Sequence, residues 1–285
     1  MIKNYLMLTK PGIIFGNAVT AVAGFMLASK GHVDLLLFVA MLTGLSLIIG
    51  SACVFNNYID RGIDVKMTRT KTRALAIGAV SVAPALMFAS ALGCSGALIL
   101  ALFTNVVALW MALAGFFVYV MLYSPCKYYS SYATEIGSIA GAIPPVVGYA
   151  AVTNGLDLGA LLVFLLIAFW QMPHFYAIAM YRLEDYAAAS IPVLPLAKGL
   201  QRTKVQMFVY VVLFLITSCL LTTFGYTASA YLFVVTLVGM YWLVLASKGF
   251  TITNDKKWAR SMFIYSLVVV MILSLMICVD SKISI

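Results

Sequence analysis

Residues 35–64 read LLLFVAMLTGLSLIIGSACVFNNYIDRGID. From Leu35 to Ile59 the stretch carries no charge, and at 1.5 Å per residue about 20 such residues cross the roughly 30 Å hydrocarbon core of a bilayer as a helix. Polar chemistry then begins abruptly: Asn56, Asn57, Asp60, Arg61 and Asp64 follow within nine positions. One segment thus carries both a membrane span, expected over 35–57, and a cluster of oxygen donors at its end.

Outward from this segment the apolar pattern repeats. Further spans are expected over 11–29, 82–103, 105–123, 134–153, 158–180, 205–224, 228–247 and 261–279. With 64% hydrophobic and 9% charged residues in 285 positions, a water-soluble core cannot hide the apolar surface, so the bilayer must cover it. The expected fold is all-α: a polytopic membrane bundle of about nine helices, with residues 1–285 forming one membrane-embedded domain. The five cysteines have no metal-type spacing and read as buried thiols in apolar helices.

Charge orients the bundle. If Lys3 and Lys10 lie inside, sixteen of the eighteen Lys and Arg residues fall on that side. Only Lys30 and Lys282 fall outside, as the positive-inside rule requires of a bacterial inner-membrane protein with a cytoplasmic N-terminus and a periplasmic C-terminus. The formal charge of +9 is therefore an orientation signal. Nucleic acid is excluded as a partner, because no soluble basic domain exists to carry it.

Asn56, Asp60 and Asp64 stand at i, i+4 and i+8, on one face of a helix. Three such groups at a membrane boundary repel or waste hydrogen-bonding capacity unless a cation joins them. Mg²⁺ prefers carboxylate, amide and phosphate oxygen and keeps room for substrate phosphates, so the spacing suits a magnesium-diphosphate site on the cytoplasmic side; a helix-surface salt-bridge ladder is the other reading of the same residues. Downstream, Lys66 and Arg69 are placed to assist a departing diphosphate, with Arg61, Lys71 and Arg73 as further phosphate contacts. A basic loop there also fits topology and anionic lipid alone. Lys127, in Tyr123-Ser124-Pro125-Cys126-Lys127, and Glu135 face the same side, as diphosphate contacts or as ordinary cap and topology residues.

A second long inner loop supplies Arg182, Glu184 and Asp185. Both long loops follow spans that run toward the inner side, so both are expected at one membrane face. Asn17 lines a pocket or packs helices. Pro144 and Pro145 are expected to interrupt the fifth span, with Gly137, Gly141 and Gly148 allowing close backbone approach.

Three passages carry a family resemblance: Asn56 to Asp64 with its 69–73 tail, Gly141-Ala142-Ile143-Pro144-Pro145 through Tyr149, and Trp170-Gln171-Met172-Pro173-His174 through Pro195. On these the chain resembles the UbiA-type intramembrane prenyltransferases, most closely their haem branch. The resemblance implies a UbiA-type fold and Mg²⁺-dependent transfer of the farnesyl group of farnesyl diphosphate to a vinyl group of haem B, with water addition giving haem O. It assigns metal binding to Asn56, Asp60 and Asp64, with Asp185 for a second ion, and it places His174 and Tyr176 with the substrates, His174 as a candidate iron ligand or a packing histidine. Quinone-making relatives carry two aspartates four apart where this chain has RLEDY at 182–186. A haem A synthase or a terminal oxidase would be the protein partner downstream. The rival readings are a quinone-precursor acceptor and a transporter or haem-handling protein, although a transporter should keep its polar groups near the bilayer midplane.

Overall fold

The computed structural model describes residues 2–281, and Lys282, expected on the outer side, lies outside them. Among the described residues nine helices are long and apolar enough to cross a membrane. These spans, numbered first to ninth, are Pro11–Ser29, Leu35–Asp64, Val82–Phe103, Val106–Cys126, Ala133–Thr153, Leu158–Tyr181, Leu200–Thr223, Ser229–Lys248 and Asp255–Asp280. The expected all-α membrane bundle is what forms.

The differences lie at the charged ends. The second span runs 30 residues to Asp64, about 45 Å of helix at 1.5 Å per residue. It outruns the hydrocarbon, so its last turns stand beyond it and hold the oxygen ridge on a rigid element. The seventh span starts at Leu200 and the ninth at Asp255, five or six residues earlier than hydropathy alone placed them. Apolarity marks only the lipid-crossing part of a helix, whereas Lys204, Lys256 and Lys257 continue it into the polar zone. A short helix, Ile2–Leu8, precedes the first span.

At the end opposite the basic residues, short turns are locked by caps. Asp34 accepts from Leu37 N, Asn105 from Ala108 N and Asp157 from Ala160 N, each satisfying a helix N–H that lipid could not. Asp280 of the ninth span accepts from Tyr231 N at 2.6 Å and so caps the eighth.

The fifth and sixth spans are the most enclosed, with 61% and 67% of their apolar windows buried against 17% and 22% for the third and fourth. On the fifth and sixth, Ser138, Gln171 and His174 are accordingly buried, while the third and fourth leave most of their apolar surface uncovered by protein. Of the thiols, Cys53 is buried, Cys94 is exposed and the other three lie between, which corrects the reading of them as buried.

Pro144 and Pro145 lie inside a helix that continues from Ala133 to Thr153, so they do not interrupt it. Neighbouring spans and side chains can support a proline-containing helix in a bundle interior. Gly24 packs directly against the Pro145 carbonyl, and Gly148 against the Ala21 carbonyl, so that the first and fifth spans meet backbone to backbone. A Cβ at Gly148 would overlap that carbonyl. Gly148→Ala is therefore expected to cost about 1–3 kcal/mol, read as a lowered melting temperature of the detergent-purified protein.

Candidate active site

The ridge at the end of the second span is buried: Asn56 and Asn57 are 2% exposed, Asp60 5% and Asp64 4%. Buried carboxylates need partners, and each has found one. Lys127 Nζ donates to Asp60 Oδ2 at 2.6 Å and Tyr128 OH to Asp60 Oδ1 at 2.5 Å. Arg73 Nη1 reaches both Asp64 oxygens at 2.9 Å. Lys10 Nζ donates to Asn56 Oδ1 at 2.5 Å, and Asn56 Nδ2 to Ser124 Oγ at 2.9 Å. Lys10, Arg73 and Lys127 oppose Asp60 and Asp64, which leaves one surplus positive charge and an electrostatic preference for an anion.

Distant segments supply these cations. Pro11 opens the first span where its missing N–H costs nothing and disfavours helical geometry at Lys10. Lys10 takes φ 52°, ψ 70°, uncommon for a residue with a side chain, and Asn57 Nδ2 binds the neighbouring Leu8 carbonyl at 2.7 Å. Burial pushes the Lys10 ammonium down to about 8, so it stays mostly charged at neutral pH. Burial and the Asp60 hydrogen bond push the Tyr128 hydroxyl upward, which keeps it a proton donor to the carboxylate.

The fourth span reaches the ridge through a π-helical turn over Val118–Tyr123. A widened turn leaves carbonyls without their usual partners, and Ser124 Oγ donates to Tyr119 O at 2.8 Å. The same hydroxyl accepts from Asn56, so the irregular turn ties the fourth span to the second just before Lys127 and Tyr128.

The two long loops meet, as expected. Asp185 Oδ1 accepts from Thr68 N at 3.1 Å, and Met67, Ala189 and Ile191 form a buried apolar cluster. Thr70 Oγ1 donates to Asp64 O at 2.9 Å, fastening the first loop to the ridge. Asp185 also lies 3.9 Å from Arg182, whose Nε is buried with no acceptor among the described residues.

Not every candidate joins this centre. Arg61 turns back over its own Tyr58 ring, 4.1 Å from the centroid, and donates to Tyr58 O. Lys66, Arg69 and Lys71 are exposed on the loop, although Arg69 lies close enough to Tyr186 to offset part of the upward push that burial gives its hydroxyl. Glu184 pairs at the surface with Lys256 at 3.1 Å. Asn17 donates to Ile13 O of its own helix. Tyr176, fully buried, donates to Glu135 Oε1 at 2.7 Å, and Glu135 Oε2 is buried with no partner among the described residues. His174 faces the ninth span through Ser266.

Sequence reading missed Lys10, Ser124 and Tyr128 as members of the ridge. Tyr128, beside Lys127 in a polar turn at the basic end, had a readable position; Lys10 and Ser124 reach Asn56 only through tertiary packing.

For a metal, Asn56, Asp60 and Asp64 fit as an all-oxygen donor set on successive turns, the kind Mg²⁺ uses together with phosphate. Asp185 is engaged by Thr68 N and lies near Arg182, and among the described residues no three His, Cys, Asp or Glu side chains group as a possible ion site.

The pattern of the UbiA prenyltransferase family matches residues 17–267. The protoheme IX farnesyltransferase of Protochlamydia amoebophila (strain UWE25) is 51% identical over 280 residues, covering 98% of this chain and 99% of that protein. That of Serratia proteamaculans (strain 568) is 50% identical over 281 residues, covering 98% and 95%. Among solved structures, one of digeranylgeranylglyceryl phosphate synthase aligns with TM-score 0.81 at 18% identity, over 98% of this chain and 97% of that one. A UbiA homolog from Archaeoglobus fulgidus bound to GPP and Mg²⁺ aligns with TM-score 0.69 at 15% identity, over 97% and 99%. At such identities the structures establish the shared fold, while the family pattern and the half-identical, full-length relatives establish descent: the chain belongs to the UbiA prenyltransferase family.

Proposed function

We propose that this protein transfers the farnesyl group of farnesyl diphosphate to a vinyl group of haem B, with addition of water, and releases diphosphate. The observation that carries the reading is the buried Asn56–Asp60–Asp64 ridge ringed by Lys10, Arg73 and Lys127, in a chain half identical over its length to protoheme IX farnesyltransferases. Haem B and farnesyl diphosphate are both mostly apolar with charged edges, and a helix bundle with one polar end serves both.

The C1–O bond of the farnesyl diphosphate breaks, and the diphosphate leaves with the electron pair. Lys10, Arg73 and Lys127 hold positive charge where that anion develops, which is worth most in a site screened from water. Tyr128 keeps Asp60 oriented while Lys127 turns toward phosphate. The terminal vinyl carbon forms the new C–C bond to C1, and the cation left beside the porphyrin takes water and loses a proton. Mg²⁺ held by Asn56, Asp60 and Asp64 would add Lewis-acid stabilisation of the leaving diphosphate.

The basic end is proposed to be cytoplasmic, with the N-terminus on that side of a bacterial inner membrane and the C-terminus in the periplasm, because the Lys and Arg residues gather there. A haem A synthase or a terminal oxidase is the partner class that would take the product.

Purified protein incubated with haem B, farnesyl diphosphate and Mg²⁺ should yield haem that has gained one farnesyl group and one water by mass spectrometry. Chelating the metal should abolish that product. Labelled quinone precursor in place of labelled haem would overturn the acceptor and keep the prenyl-transfer chemistry.

A further inference from the structure

His174 is held with unusual completeness for a packing residue. Its ring stacks on Trp170, with centroids 5.0 Å apart and planes 26° apart, and packs against Phe263 of the ninth span at 5.0 Å. One residue joins these contacts: Ser266, fully buried on the ninth span. Its backbone carbonyl accepts from Trp170 Nε1 at 2.7 Å. Its hydroxyl lies 2.7 Å from His174 Nδ1 and 2.6 Å from the Phe263 carbonyl.

A serine hydroxyl has one proton. A carbonyl oxygen can only accept, so that proton goes to Phe263 O. The His174 contact is then satisfied only if Nδ1–H donates to Ser266 Oγ. In the neutral imidazole this leaves Nε2 with a free lone pair, and among the described residues no protein group bonds it.

We propose that Ser266 is a positioning residue for haem: it fixes His174 as the Nδ1–H tautomer and so presents Nε2 as an axial ligand to the iron of the porphyrin substrate. Proteins commonly orient metal-binding imidazoles by tying the other nitrogen to a fixed acceptor, and a neutral nitrogen ligand on one porphyrin face sets the plane of the ring. Trp170, Phe175 and Phe263 supply flat apolar surface around the imidazole. A ring held this way fixes which vinyl edge can approach the diphosphate ridge. The inference rests on the haem reading above.

The test is titration of the full-length detergent-purified protein with ferric haem B, without farnesyl diphosphate, followed by absorption and electron paramagnetic resonance. Wild type should show an imidazole-ligated iron. His174→Ala should lose that signature, and added imidazole should restore it. Ser266→Ala removes a single oxygen, and its melting temperature is measured alongside. It should weaken the imidazole signature and raise haem dissociation about 10–100-fold, raising KM for haem but not for farnesyl diphosphate. Ser266→Thr, which keeps the hydroxyl, should restore retention.

A wild-type spectrum and release rate in Ser266→Ala would overturn the positioning role, and an unchanged spectrum in His174→Ala would overturn the ligand. If wild type binds no haem yet prenylates a quinone precursor, the haem reading fails and this inference with it. If wild type forms the haem product while neither variant changes the spectrum, this inference alone fails.

Discussion

Asp60→Ala and Asp64→Ala should each lower farnesyl transfer on the order of a thousandfold, a barrier increase of about 4 kcal/mol. Both carboxylates are buried on one helix face, and each is held by a cation that the proposed mechanism turns toward the diphosphate. Losing either would remove a proposed metal ligand and release a cation from its position. The two variants should differ in stability. Asp60→Ala strands Lys127, whose side chain is 15% exposed, whereas Asp64→Ala strands Arg73, whose side chain is 24% exposed and nearer to water. The Asp60 variant is therefore expected to melt lower, since an unpaired charge costs more where water reaches it less. Initial rates by mass spectrometry, together with melting of the same preparations, check both statements. Rates within tenfold of wild type in both variants would remove the ridge from the chemistry.

Lys127→Ala should reduce kcat/KM for farnesyl diphosphate by at least about a hundredfold while KM for haem stays near wild type. Lys127 lies between Asp60 at 2.6 Å and the rings of Tyr123 and Tyr128, with centroids at 5.7 and 5.4 Å. The aromatic faces help hold the ammonium at the ridge when Asp60 is engaged elsewhere. Because Lys127 and Asp60 act as one unit, the double variant should be little slower than Asp60→Ala alone. Additive losses would show that the two residues serve separate steps. Lys127→Arg should recover part of the activity, limited by the different shape of its charged group.

The membrane fold could be read almost entirely from local sequence. Each span declares itself through some twenty apolar residues, because every backbone polar group in lipid must be satisfied within its own helix. The ridge was equally legible, since Asn56, Asp60 and Asp64 lie on one helix and helical spacing alone aligns them. Where charged turns prolong a helix past the lipid, as at Asp64, Leu200 and Asp255, hydropathy stopped short.

The counter-charges were not legible in the same way. Along the chain Lys66 and Arg69 read as the residues that assist the departing diphosphate and Arg73 as a further contact, yet it is Arg73 that folds back onto Asp64. Glu184 and Asp185 are adjacent, yet one pairs at the surface with Lys256 and the other ties two loops together.

The sequence by itself therefore determined nine spans, the basic end and the oxygen ridge, because all of these depend on composition or on spacing within one helix. Only the tertiary structure decided that Lys10, Arg73 and Lys127 close around the ridge, that Asp185 ties to Thr68 of the other long loop, and that Ser266 meets His174 from 92 residues away. Such contacts depend on how helices cross and where irregular turns rotate them, and neither a π-helical turn at 118–123 nor a glycine-to-carbonyl interlock leaves a periodic trace along the chain.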